Sequence, residues 1–138
     1  MCTKNIDIPL IAQKIREHFS DISFAYIFGS SQGGVVKSGS DVDVAVYYTG
    51  SDVFARFAVE AQVENVVGNA IPIDVVVLQK ADPVLAFEAL KGKLLFVRDE
   101  NMEEYTNFYT RTCRLYEDEI YWMKKRLEYR GYEVQWDS

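Results

Sequence analysis

The stretch FGSSQGGVVKSGSDVDVAVYY, residues 28–48, decides how this chain is read. An apolar run ends at Gly29-Ser30, ten residues rich in glycine and serine follow, and a Val-rich run then carries Asp41 and Asp43. Residues 41–48, DVDVAVYY, alternate and are β-branched, which predicts a strand. Side chains at i and i+2 of a strand share a face, their alpha carbons about 6.5 Å apart. Asp41 and Asp43 therefore project together, while Val42, Val44 and Val46 face the other way into a core. Two carboxylates at that spacing repel unless something positive lies between them. A hard divalent cation such as Mg²⁺ suits them, because it takes oxygen ligands and keeps the rest of its shell for water and phosphate. Pairs of such ions, about 3.5–4 Å apart, serve enzymes that move phosphoryl or nucleotidyl groups.

Working outward, SFAYIF (residues 23–28) is a short apolar run and a predicted strand, and IDVVVL (residues 73–78) is a third. Asp74 sits at the start of that last run, where a polar residue needs a reason. With the two strands close together it completes a three-carboxylate cluster, able to bind a catalytic metal and to orient or deprotonate an attacking hydroxyl. The intervening loop supplies the complementary part. Gly29, Gly33, Gly34 and Gly39 let the backbone approach a triphosphate, Ser30 and Ser40 offer hydroxyl donors, and Lys37 offers a mobile cation.

The rest of the chain reads as helices around these strands. Pro9 fits the first turn of a helix with a stripe of Leu10, Ile11, Ile15, His18 and Phe19, in which His18 has no chemical role. Ser51 or Asp52 caps a second helix to about Val67, with Val53, Phe54, Phe57, Ala58, Ala61 and Val66 expected inward and Gly68-Asn69 ending it. Asp82-Pro83 opens a short helix closed by Gly92, and LLFV (residues 94–97) is a fourth strand. A long helical pattern covers residues 101–130, striped by Tyr105, Phe108 or Tyr109, Thr112, Tyr116, Ile120, Met123 and Leu127. The order α-β-β-α-β-α-β-α predicts an α/β (α+β) domain, a small mixed sheet flanked by helices. One domain is expected over residues 1–138, its core at about 23–98 and its C-terminal helical segment at about 101–130.

With 138 residues, 49% hydrophobic and 14% aromatic, the chain suits one folded domain. No run is long and apolar enough to span a bilayer, which takes about 18 or more residues, and the first residues lack the pattern of a signal peptide. Cys2 and Cys113 are too few for a disulfide framework and, with His18 the sole histidine, argue against structural zinc. These features point to a cytoplasmic protein. A net charge of −6 argues against binding nucleic acid through phosphate neutralisation. Residues 1–110 hold 9 of the 15 basic residues but 15 of the 21 acidic ones, so the body is acidic and the C-terminal part balanced. The long helix carries more aromatics than one packed stripe can use, and with Arg111, Arg114, Lys124 and Arg126 this composition suits a partner contact or self-association.

Gly29-Ser30, ten residues, then Asp41-Val42-Asp43 resembles the GSx10DxD signature of polymerase-β-like nucleotidyltransferases, with Asp74 as the third acid. The match covers roughly residues 23–80. The small size is similar to that of the minimal nucleotidyltransferases (MNT), some of which are MntA-type antitoxins paired with a HEPN-domain ribonuclease toxin. The resemblance implies transfer of AMP from ATP to a tyrosine hydroxyl of that toxin, with release of pyrophosphate. It implies that Gly29 and Ser30 hold the triphosphate, that Asp41 and Asp43 bind two Mg²⁺, and that Asp74 binds the catalytic one. Many MNT loops carry two arginines after Gly-Ser; here Ser31-Gln32-Gly33-Gly34 stands instead. Two other readings keep the scaffold. One is a nucleotidyltransferase for small molecules such as antibiotics, and the other is an antitoxin that neutralises its partner by binding alone.

Overall fold

The computed structural model describes residues 3–50 and 55–131. In chain order its elements are β1 (Thr3–Asn5), α1 (Ile8–His18), β2 (Ile22–Phe28), β3 (Val35–Lys37), β4 (Val42–Tyr48), α2 (Ala55–Val67), β5 (Ile73–Val77), α3 (Pro83–Leu90), β6 (Lys93–Val97) and α4 (Met102–Tyr129). Short 3-10 turns occupy Gly29–Ser31, Leu78–Lys80 and Asp99–Asn101. Ser51 or Asp52 as the cap of the second helix, and the inward Val53 and Phe54, lie outside the described residues.

The main sheet runs β5-β4-β2-β6. β2 pairs antiparallel with β4 and with β6, whereas β4 and β5 are parallel, Val42 opposite Ile73 and Val46 opposite Val77. A parallel pair needs a crossover, and α2 provides it. Strand alternation divides the sheet into two apolar faces. Val42, Val44 and Val46 point to one face with Ile22, Ala25, Ile27 and Val75, where α1 covers them with Ile8, Ile11 and Ile15 and α2 with Val59, Val63 and Val67. Each of these fully buried valines contributes about 1.5–3 kcal/mol of hydrophobic stabilisation. The opposite face holds Phe24, Tyr26, Phe28 and Ala45 under Ala89 and Leu90 of α3 and under Tyr105 and Phe108 of α4.

The helix starts follow their sequences. Asp7 caps α1 by accepting from the Leu10 amide at 3.1 Å, and Asp82 caps α3 by accepting from the Leu85 amide at 2.9 Å. Aromatic rings bind α4 to the sheet: Phe24 stacks on Tyr47 at 4.8 Å and meets Tyr105 edge-on at 4.9 Å. The Tyr26 and Tyr105 hydroxyls share a 2.6 Å hydrogen bond, and burial followed by this contact pushes the Tyr26 phenol pKa far up. Arg98 fixes the end of α1, donating to the carbonyls of Ile22 at 2.8 Å, Arg16 at 2.6 Å and Phe19 at 2.8 Å.

Several expectations change. β1 and β3 form a separate two-stranded antiparallel sheet, so part of the glycine-rich stretch is a strand rather than a loop. β4 begins at Val42, with Asp41 just before it, and Leu78 belongs to the turn after β5. The inward line of α2 is Ala55, Val59, Val63 and Val67. Phe57, expected inward, is 59% exposed, and Ala58 and Ala61 are exposed as well. Spacing of four places the β-branched valines in one row that lies flat on the sheet, and the Phe57 ring falls outside that row with Arg56 over it at 5.7 Å. His18 and Met123 are exposed, while Thr112 is buried and Tyr105, Phe108, Tyr116, Ile120 and Leu127 are half-buried along the same stripe of α4. Among the described residues no helix is long and apolar enough to cross a membrane.

Candidate active site

The acids meet at one end of the β4–β5 pair. The parallel register places Asp43 directly opposite Asp74, and Asp41 precedes Val42 at the same end. Since Val42 and Val44 are buried, alternation sends Asp43 to the opposite face, the one that carries Ala45 and Tyr47. Asp43 is half-buried, whereas Asp41 and Asp74 are exposed. Burial, then the charges of Asp74 and Asp41, hold the Asp43 carboxyl above the ordinary carboxylate range. The shift thus reflects the burial of Asp43 first and the nearness of the other two acids second.

Gly29 lies against this cluster. Its φ is +75°, a left-handed conformation that favours glycine, and a β-carbon built there would stand 2.7 Å from Asp43 Oδ2. The turn following β2 thus rests directly on the Asp43 carboxylate. Ser30 is exposed at the same turn, Ser40 is half-buried just before Asp41, and Ser40 N–H donates to the Lys37 carbonyl at 3.0 Å. Lys37 is exposed on β3, where it pairs with Thr3.

All three acidic donors are hard carboxylate oxygens, the type that suits Mg²⁺. Among the described residues no group of three His, Cys, Asp or Glu side chains closes on one point as a ready-made cage. The donor chemistry and the register fit a divalent cation in type and place.

Two residues of this region make contacts that the sequence reading did not assign to them: Ser31, read only as part of the loop, and Gly92, read only as the end of a helix. Ser31 is fully buried and its hydroxyl has no hydrogen-bond partner; only its place beside Gly29-Ser30 hinted at it. Gly92 presses on β2, where an added β-carbon would meet the Ile27 carbonyl at 2.5 Å and Phe28 Cα at 2.8 Å, immediately behind Gly29. That contact links positions over sixty residues apart and is invisible to local patterns. On the same face, about 13 Å along β4 from Asp43, a pocket of about 490 Å³ opens between Tyr47, Asn107, Arg111 and the acids Glu100, Glu103 and Glu104.

The fold is that of a nucleotidyltransferase domain. Residues 11–101 match the family described as Polymerase beta, Nucleotidyltransferase, and the chain belongs to that family. No curated protein matches it by sequence. Solved structures agree in fold. One is described as a toxin-antitoxin with AMP-PNP, at TM-score 0.66 and 22% identity, covering 89% of this chain and 94% of that one. A second is a mutant of the toxin-antitoxin MntA-HpeT in which two aspartates, two positions apart, are glutamates; it aligns at TM-score 0.66 and 20% identity over 89% of this chain and 93% of that one. A third, from Shewanella oneidensis, is a tri-AMPylated HEPN toxin in complex with MNT antitoxin, at TM-score 0.58 and 21% identity over 88% and 93%.

Proposed function

We propose that this protein is an antitoxin that transfers AMP from ATP to a tyrosine hydroxyl of a partner HEPN ribonuclease toxin and thereby silences it. The observation that carries the reading is the pairing of Asp43 with Asp74, with Gly29 resting on the Asp43 carboxylate. The structural neighbours that hold an ATP analogue or an AMPylated HEPN toxin support it.

In this reading the Gly29-Ser30 turn and the Ser40 hydroxyl hold the triphosphate, with Lys37 as an accessory cation. Asp41, Asp43 and Asp74 are the ligands for two Mg²⁺, which when bound neutralise the acids and the phosphate charge together. Asp74, exposed at the rim, orients the acceptor hydroxyl and takes its proton. The phenolic oxygen forms a bond to the α-phosphorus, the bond from that phosphorus to the bridging oxygen breaks, and pyrophosphate leaves with the electron pair. The exposed half of α4, with Tyr121 and Trp122 at its surface, gives a partner protein a face to meet.

A small-molecule acceptor is the second reading. The pocket between Tyr47, Arg111 and three glutamates favours it, because that lining suits a compact polycation. Intact mass spectrometry separates the two. Incubated with Mg²⁺ and ATP, the HEPN partner gains AMP units from the wild-type protein and none from the Asp41→Ala/Asp43→Ala variant. A partner that stays unmodified while it is bound and silenced refutes AMP transfer to the toxin.

A further inference from the structure

β5 is one of the two edge strands of the main sheet. The Val42 amide donates to the Pro72 carbonyl at 2.9 Å, and Val42 lies opposite Ile73. In a parallel ladder this turns the backbone groups of Pro72 and Asp74 toward β4 and those of Ile73, Val75 and Val77 toward the free edge. Such an edge is a template for another extended chain.

A groove of about 410 Å³ follows that edge from Asp74 to Val77, flanked by Arg56 and Phe57 of α2 and by Lys80 and Leu85. Phe57 and Leu85 are both exposed, which gives the groove an apolar wall on each side. Its charge is unlike that of the acidic body, for Arg56 and Lys80 are both cations and neither forms an ion pair among the described residues. β4 and β5 are parallel and α2 returns from the C-terminal end of β4, so both cations lie at the Val77 end. Asp74 lies at the other end, about 10 Å away. One groove thus joins a proposed catalytic acid, a row of open backbone groups and a basic terminus.

We infer that this edge holds the acceptor segment of the protein substrate as an added strand. Its hydroxyl-bearing residue lies beside Asp74, and acidic side chains two to four positions away meet Arg56 and Lys80. The inference rests on the transferase reading and names what that reading leaves open, the local chemistry of the acceptor. Main-chain hydrogen bonds to Val75 and Val77 supply affinity, and the two cations supply selectivity.

Amide hydrogen exchange on the full chain, read by NMR, tests the placement. The probe is a synthetic decapeptide with one tyrosine and glutamates two to four positions from it, compared with a peptide carrying lysines there. The glutamate peptide slows exchange at Val75 and Val77 and leaves Val76, already in the ladder, unchanged. AMP transfer with Mg²⁺ and ATP favours the glutamate peptide by about tenfold, the scale of two partly exposed charge pairs acting together. The Arg56→Glu/Lys80→Glu variant reverses that preference. Unchanged exchange at Val75 and Val77 with both peptides, or protection confined to other elements, overturns the groove assignment even where AMP is transferred. Protection at Val75 and Val77 with no AMP on any peptide or partner supports the groove and overturns the transferase reading.

Discussion

Replacing Gly29 by alanine separates the two tasks of the turn after β2. The residue has φ +75°, and an L side chain held in that region costs about 1–2 kcal/mol. The added methyl also meets Asp43 Oδ2 at 2.7 Å, while Asp43 Cγ and Cβ stay at 3.7 and 3.9 Å. Only the carboxylate oxygen must move, and turning it aside costs a further ~0.5–1.5 kcal/mol. The sum is about 2 kcal/mol, which for a chain of this length lowers Tm by about 7 °C. The fold survives that loss. The site does not, because the displaced group is the most buried of the three acids and a misplacement of about 1 Å in a reacting constellation costs about 100-fold in rate. Thermal melts followed by circular dichroism and AMP transfer followed with radiolabelled ATP read the two effects on one preparation. A Gly29→Ala protein with wild-type Tm and transfer within threefold of wild type refutes the packing of this turn on Asp43.

Asp43→Asn is expected to raise Tm in metal-free buffer at pH 7. The native carboxyl is held above its ordinary value of 3.8, so the folded state binds the proton more tightly than the unfolded one, and the charged form weighs against folding above that raised pKa. The advantage of the variant fades as pH falls through the raised pKa and is gone well below 3.8, where the carboxyl is neutral in both states; a pH-independent difference in Tm contradicts this account. Mg²⁺ raises the Tm of the wild type and has little effect on that of the variant. Gly92→Ala acts on the fold instead. Its methyl meets backbone of β2 that cannot rotate away, so urea unfolding shows a loss of several kcal/mol, larger than for Gly29→Ala; a loss below about 1 kcal/mol contradicts the close approach.

The four strands of the main sheet were legible because each is a β-branched or aromatic run bounded by turn residues. β1 and β3 were not, since three residues apiece carry no usable period and their pairing joins positions thirty or more residues apart. The stripe of α4 could be read from spacing alone, whereas α2 carries apolar residues all round. There the choice between Phe57 and the valine row is made by the flat surface of Val42, Val44 and Val46 beneath it. Asp41, Asp43 and the Gly29 turn stood out in one local stretch. The place of Asp74 required strand order, and so did the groove beside it, because which strand lies outermost is a property of the assembled sheet.

One alternation builds both the core and the candidate site. On the face of β4 toward α1 and α2 stand the buried valines Val42, Val44 and Val46, with Tyr48 ending the row, and the residues between them, Asp43, Ala45 and Tyr47, pass from acid to small residue to aromatic along the other face. A one-residue slip would bury Asp43 among the valines and expose Val42 and Val44, so the hydrophobic energy of one face fixes the position of the acid on the other. The burial and repulsion that raise the Asp43 pKa are tolerated because that register cannot relax. The acids can escape one another only by rotating their side chains, which leaves the backbone of the site in place for whatever cation and phosphate bring them back together.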